Sequence, residues 1–304
     1  MNEQTSGFFP IRKVSDITGV NSVTLRAWER RYGLIKPQRT AKGHRLYTQE
    51  DIELIQQILE LIDEGIPISR VRALVQQTKT AATSTTDSVD IWQTHMNAII
   101  QAISEFNELG IERIYNEVLS LYPVDVVTRQ LILPLLKVLG ERWASKQGSI
   151  AEEHFFGVFL RNKLGARFHH RQQHNSGPKL VAACLPNEEH EIGLLLFALA
   201  AHERGFQIIL LGSNMPIEEL PTVVKKTRAD AVVLSGSMPI NDKEIFFKIQ
   251  KLGTDTGLPV FVGGRAATTC NNELLRIKAI PAGDELVDGL KLIRNTLIKF
   301  QQQS

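Results

Sequence analysis

Cysteine is scarce in this sequence. Cys184 and Cys270 stand far apart with no C-x-x-C spacing, which excludes a disulfide framework and a cysteine-ligated zinc site. Long apolar runs are missing as well. No stretch approaches the roughly 20 residues needed to span a bilayer, so no membrane partner is expected. Residues 1–10 lack a basic region followed by an apolar one, so no secretory signal is expected and the cytoplasm is the expected location. Net charge is slight too, +2 overall, and excludes no partner by itself. The composition that remains, 43% hydrophobic and 22% charged over 304 positions, suits a globular chain with room for two or three cores.

Polar punctuation divides the chain. Residues 78–88 are rich in Thr and Ser with no periodic apolar positions, as linkers are, and Gly177-Pro178 close a second polar stretch after His174. The expected organisation is a head over 8–77, a linker over 78–88, a helical segment over 89–175 and an α/β segment over 178–304. In the head, short helical patterns alternate with turns. Residues 48–51 read as a helix start leading into the pattern 52–62, which Gly65 stops, and 68–75 supply one more helix. Gly43, between Lys42 and His44, suits a tight β-hairpin over 40–47.

Helical spacing of apolar residues over 98–106, 111–121, 126–139 and 155–168 suggests a four-helix bundle, with Pro134 positioned to kink the third helix. Beyond it, runs rich in Val, Ile and Leu at 180–184, 208–211, 231–234 and 260–262 read as strands buried on both faces, and amphipathic stretches separate them. That alternation demands right-handed crossovers and a doubly wound, flavodoxin-like parallel sheet. The fold class is therefore multi-domain α and α/β.

Charge is concentrated in the head. Arg26, Glu29, Arg30, Arg31, Lys36, Arg39, Lys42 and Arg45 leave a local positive excess in a nearly neutral chain, an electrostatic footprint for phosphate. Residues 14–20 followed by 22–26 have the helix, glycine-containing turn and second helix of a helix-turn-helix. The run Thr24-Leu25-Arg26-Ala27-Trp28-Glu29-Arg30-Arg31-Tyr32-Gly33-Leu34, with Pro37, Arg39, Gly43-His44-Arg45-Leu46-Tyr47 and Asp51-Ile52, resembles the MerR family of transcription regulators. The resemblance implies a winged helix-turn-helix bound to a double-stranded DNA operator. It has the second helix, with Thr24, Arg26 and Trp28, address the major groove, counts Arg30 and Arg31 among the DNA-binding residues, and sets Arg39, His44, Arg45 and Tyr47 on or beside the wing. For Trp28, packing within the head's core is an equal alternative.

In the α/β segment, Glu188-Glu189-His190-Glu191-Ile192-Gly193 follows the first strand and opens a helix, which puts His190 at the carboxyl edge of the sheet where ligands bind. A neutral imidazole suits a transition metal, and a carboxylate two residues away can hold its second nitrogen. Ser235-Gly236-Ser237 and Gly263-Gly264 end two later strands at the same edge, small enough to let a bulky group approach the backbone. This series resembles the cobalamin-binding domain of methionine synthase and the base-off mutases, Asp-x-His-x-x-Gly, Ser-x-Leu and Gly-Gly at regular intervals. The resemblance implies His190 as lower axial ligand of cobalt, with the displaced base lodged near Ser235, Ser237, Gly263 and Gly264. Glu188 departs from the motif's Asp and Ser237 from its Leu.

Trp143, nine residues, then Glu153-His154 matches a signature of CarH/LitR-type light-dependent regulators, MerR-headed proteins that bind adenosylcobalamin. By that resemblance these three cover the upper face of the corrin. The function implied is a regulator whose homo-oligomeric state, dimer or tetramer, and operator binding follow the bound adenosylcobalamin, with light as the signal and repression in the dark. Two alternatives stand beside it. One is a regulator that keeps the fold but acts through protein contacts without cofactor. The other, a cobalamin enzyme, is disfavoured because no length remains for a substrate module such as a barrel of about 250 residues.

Overall fold

Local chemistry sets the head. After the strand Phe8–Pro10 (β1) and the helix Ile11–Thr18, Asn21 caps the helix Ser22–Ala27 by accepting from the backbone N–H groups of Val23 and Thr24, each at 2.9 Å. The chain then widens into a π turn over Trp28–Tyr32. Gln38–Arg39 (β2) and Arg45–Thr48 (β3) form the expected hairpin, whose tip needs Gly43 at φ +80°. The antiparallel order is β1-β3-β2. Thr48 and Asp51 exchange hydrogen bonds as a capping box, which starts Gln49–Asp63 where the sequence places a helix. The helix Ile68–Gln77 completes the head.

This computed structural model describes residues 7–77, 91–145, 148–169 and 175–302. The 78–88 stretch lies outside them, as does His174. The chain divides into two compact units between Phe156 and Gly157, so the head and most of the helical segment share the first unit.

Ile91–Ser104, Glu108–Leu121, a third rod over 124–144 and Ile150–His169 are the four helices of the middle segment. Ile99, Ile103, Ile111, Val118, Leu131 and Leu135 are at most 0% exposed, at the i, i+4 and i, i+7 spacing of buried helix faces. Pro134 stands near the start of the Leu133–Ala144 helix. It cannot donate a backbone hydrogen bond, and the rod opens into a π turn, Thr128–Ile132, just before it.

In the second unit, Lys179–Cys184 (β4), Gln207–Gly212 (β5), Ala231–Ser235 (β6), Val260–Gly263 (β7) and Ile280–Gly283 (β8) form a parallel sheet in the order β5-β4-β6-β7-β8. Strand alternation sorts its faces. Val181, Ala183, Val232, Leu234, Val260 and Val262 pack with Leu220, Ile249 and Leu252 on one side. Leu180, Ala231, Val233 and Phe261 pack with Leu290, Ile293 and Leu297 on the other. The strand β8, absent from the sequence reading, sits at the sheet edge, where Pro281 disrupts no second ladder. Among the described residues no helix is long and apolar enough to cross a membrane.

Candidate functional site

The strand order reverses between β4 and β6, so the connections leaving these neighbours run to opposite sides and open a crevice at their carboxyl ends. The loop after β4 is pinned there. The Leu185 N–H donates 2.9 Å to the Ser235 carbonyl, and the Asn214 N–H donates 2.9 Å to the Glu188 carbonyl. Glu188, a carboxylate only 6% exposed, accepts four hydrogen bonds. Oε1 receives the His190 backbone N–H at 2.9 Å and lies 2.8 Å from His190 Nδ1. Oε2 receives the Ser237 N–H at 2.6 Å and the Ser237 hydroxyl at 2.7 Å. Burial pushes the carboxyl's pKa up, but these donors from His190 and Ser237 outweigh it and hold the pKa at about 2.

An ionised carboxylate only accepts, so Nδ1 is the protonated nitrogen, and in the neutral ring Nε2 keeps its lone pair. The imidazole is 62% exposed and tethered at Nδ1. This arrangement can offer one nitrogen ligand to a transition metal. Among the described residues no group of three or more His, Cys, Asp or Glu gathers to hold a metal without further ligands. The departures from the expected motif interlock: the longer Glu188 reaches Ser237, which bonds it through both N–H and hydroxyl.

Small residues shape the crevice. Ser235 lies in register between Cys184 and Gly263. Gly264 adopts φ +77°, and a Cβ there would stand 2.6 Å from the Gly236 carbonyl oxygen. A Cβ on Gly236 would meet Leu185 and Ala266 side-chain carbons at 2.8 Å. Gly193, exposed at the start of the Ile192–Glu203 helix, has nothing within 4 Å of its missing Cβ, so no described atom of this chain fills that space. Sequence reasoning named Ser235, Ser237, Gly193, Gly263 and Gly264. It did not give Gly236 its packing role, nor find Glu191, which pairs with Arg161 at 2.6 Å.

Trp143 lies on the Leu133–Ala144 helix with its side chain outside the described residues. Glu153, half-buried, and His154, exposed, stand in the first turn of Ile150–His169. All three belong to the first unit, whereas Glu188 and His190 belong to the second.

On the head, Arg26, Arg30 and Arg31 are exposed, as a phosphate-binding surface requires, and so is His44 on the wing. Arg39 and Arg45 instead converge on Glu29, at 2.9 and 2.5 Å. Burial raises the Glu29 carboxyl's pKa, yet the bonds from Arg45 and Arg39 bring it below its ordinary value. Thr24 and Trp28 do not lie where a groove-facing role needs them, and Tyr47 stands on the wing strand as expected but with its side chain buried. Each is 0% exposed. Trp28 is buried, as the core alternative has it, but with a partner outside the head: its indole Nε1–H donates 2.8 Å to the Leu121 carbonyl of the Glu108–Leu121 helix. Tyr47 packs inside the head, and burial pushes its phenol up to about 12, with the Glu29 charge adding to the rise.

Comparison with known proteins follows this geometry. Residues 9–78 match the MerR HTH family regulatory protein model, while 96–167 and 178–290 match two B12 binding domain models. The HTH-type transcriptional repressor CarH of Myxococcus xanthus is 34% identical over 273 residues, 85% of this chain and 89% of that protein. CarA, a repressor of the same organism, is 27% identical over 94% of this chain and 97% of its own length. Among solved structures, a monomethylamine corrinoid protein from Methanosarcina barkeri shares the fold, with TM-score 0.53 at 17% identity, covering 67% of this chain and 99% of that one. A MerR head that binds DNA and a doubly wound sheet with a tethered histidine at its switch point thus occur in one chain, which belongs to the CarH-type family of MerR transcriptional regulators with B12-binding domains.

Proposed function

We propose that this chain is a transcriptional repressor, and not an enzyme, whose operator binding is set by adenosylcobalamin and by light. The observation that carries this reading is His190 at the switch point, its Nδ1 fixed by Glu188 and its imidazole 62% exposed. On this reading His190 would hold the cofactor's cobalt. Glu188 and Ser237 hold the ring's orientation and tautomer. Ser235, Gly193, Gly263 and Gly264 would leave room for the bulky base, and the resemblance would give Trp143, Glu153 and His154 a part in holding the same cofactor. When bound, adenosylcobalamin supplies a light-labile cobalt–carbon bond. Arg26, Arg30, Arg31 and His44 meet DNA, and the protein acts in the cytoplasm beside it.

One head offers few base-reading side chains, so useful specificity calls for at least two heads on a repeated or inverted site. A ligand that favours the associated state therefore strengthens operator binding by linkage. The test is size-exclusion chromatography and DNA binding on cofactor-free, dark cofactor-loaded and illuminated protein, with His190→Ala alongside. A larger, tighter-binding species only in the dark loaded sample, and a changed axial-ligand spectrum in His190→Ala, are expected. Identical mass and affinity in all three samples would refute light control and leave a regulator acting through protein contacts alone.

A further inference from the structure

Residues 22–32 follow one helical path, the helix Ser22–Ala27 and the π turn after it, and burial divides that path into two sides. Thr24, Leu25 and Trp28 are 0% exposed and anchor it. The other side carries Val23, Arg26 and Arg30, at the i, i+3 and i+7 spacing of one helix face, and all three are exposed. Val23 is the odd member. It is apolar yet 60% exposed, and a β-branched residue is a weak helix former, so neither packing nor propensity accounts for it. A solitary exposed valine would need no account, but this one shares its face with two arginines of the DNA-binding head. Its backbone is already engaged: the Val23 N–H donates 2.9 Å to Asn21 Oδ1, which also accepts the Thr24 N–H at 2.9 Å. What Val23 offers a partner is its isopropyl group, which keeps to essentially one rotamer in a helix.

We infer that Val23 is a base-reading residue that recognises the C5-methyl group of a thymine in the major groove. This rests on the reading that the second helix of the head enters that groove. Each base pair shows a distinct set of donors and acceptors there, and the thymine methyl is the apolar group among them. Arginines on the same face draw it to phosphate, an attraction that is the same for every sequence. Val23 has no charge and no unengaged donor, so it adds nothing to that attraction. It favours a duplex only where an apolar group displaces water from it. Thr24, which the sequence points to for this role, is turned inward, and its neighbour on the exposed side takes the role instead.

The test uses the full chain and a fluorescein-labelled duplex selected from a random pool by the wild-type protein. Selection is run on cofactor-free and on dark adenosylcobalamin-loaded protein, so that a missing cofactor is not mistaken for a missing contact. Uracil then replaces one thymine at a time, which removes a methyl group and leaves the base pairing intact. At one thymine of each repeat, uracil should weaken wild-type binding about fourfold, the worth of one buried methyl group, and leave Val23→Ala unaffected. Val23→Ile, which keeps the apolar branch, should retain the preference. The salt dependence of Val23→Ala should match that of wild type, since no phosphate contact is lost. If wild type and Val23→Ala respond alike at every position, or the selected duplex has no thymine whose methyl matters, Val23 does not read thymine. Wild-type protein that selects no sequence in either state overturns groove reading by the second helix and the role of Val23 together.

Discussion

Glu188→Gln tests the logic of the crevice. The carboxylate oxygens face four donors: His190 N–H at 2.9 Å and Nδ1 at 2.8 Å on one side, Ser237 N–H at 2.6 Å and hydroxyl at 2.7 Å on the other. A glutamine amide must point its NH2 at one of these pairs. Towards Ser237, the hydroxyl can rotate and accept, but the Ser237 backbone N–H then faces another donor. Towards His190, the ring can accept only by moving its proton to Nε2, and the His190 backbone N–H is orphaned. Either way one backbone N–H in a nearly closed site loses its partner and the charge-assisted bonds disappear, a cost of about 2–4 kcal/mol. Urea denaturation of the cofactor-free protein should show that loss. The imidazole nitrogen shifts in ¹⁵N NMR should move as well, because the ring loses its charged acceptor in either orientation and its Nδ1–H form in the second. Stability within about 0.5 kcal/mol of wild type together with unchanged nitrogen shifts would mean that Glu188 does not set the ring.

Two further outcomes test the crevice floor and the head. Gly264→Ala adds both a strained φ of +77° and a Cβ 2.6 Å from the Gly236 carbonyl oxygen, which Ala266 N–H already holds at 3.0 Å. It should lower stability by about 3 kcal/mol, whereas Gly193→Ala, facing open space in a helix, should lower it not at all, as paired urea curves would reveal. Glu29 has a carboxyl pKa below 4.5 when folded, so its ion pairs contribute stability fully above 4.5 and lose it as pH falls through the lowered folded value. The stability gap between wild type and Glu29→Gln should therefore narrow as pH drops below 4.5, and a gap constant across that range would remove Glu29 from the acid response.

Much of the molecule was legible in the chain because its signals are local. The Thr48–Asp51 capping box, the Gly43 hairpin, the helix periods and four of the five sheet strands follow from neighbours within a few residues, and so does His190 in the loop after β4. Strand β8 escaped because Ile280–Gly283 is short and carries a proline that only an edge position tolerates. The pairings were beyond reach. Ser237 meets Glu188 from 49 positions away and Trp28 meets Leu121 from 93 away, and no periodicity records which distant groups a fold will bring together. The sequence by itself determined most of the elements and put His190 and Glu188 in the loop after β4. Only the tertiary structure decided that Ser237 completes the carboxylate's hydrogen bonds, that Arg39 and Arg45 serve Glu29, and that Thr24, Trp28 and Tyr47 lie inside. The reason is that burial and long-range hydrogen bonds depend on what packs against a residue, a property its sequence neighbours do not contain.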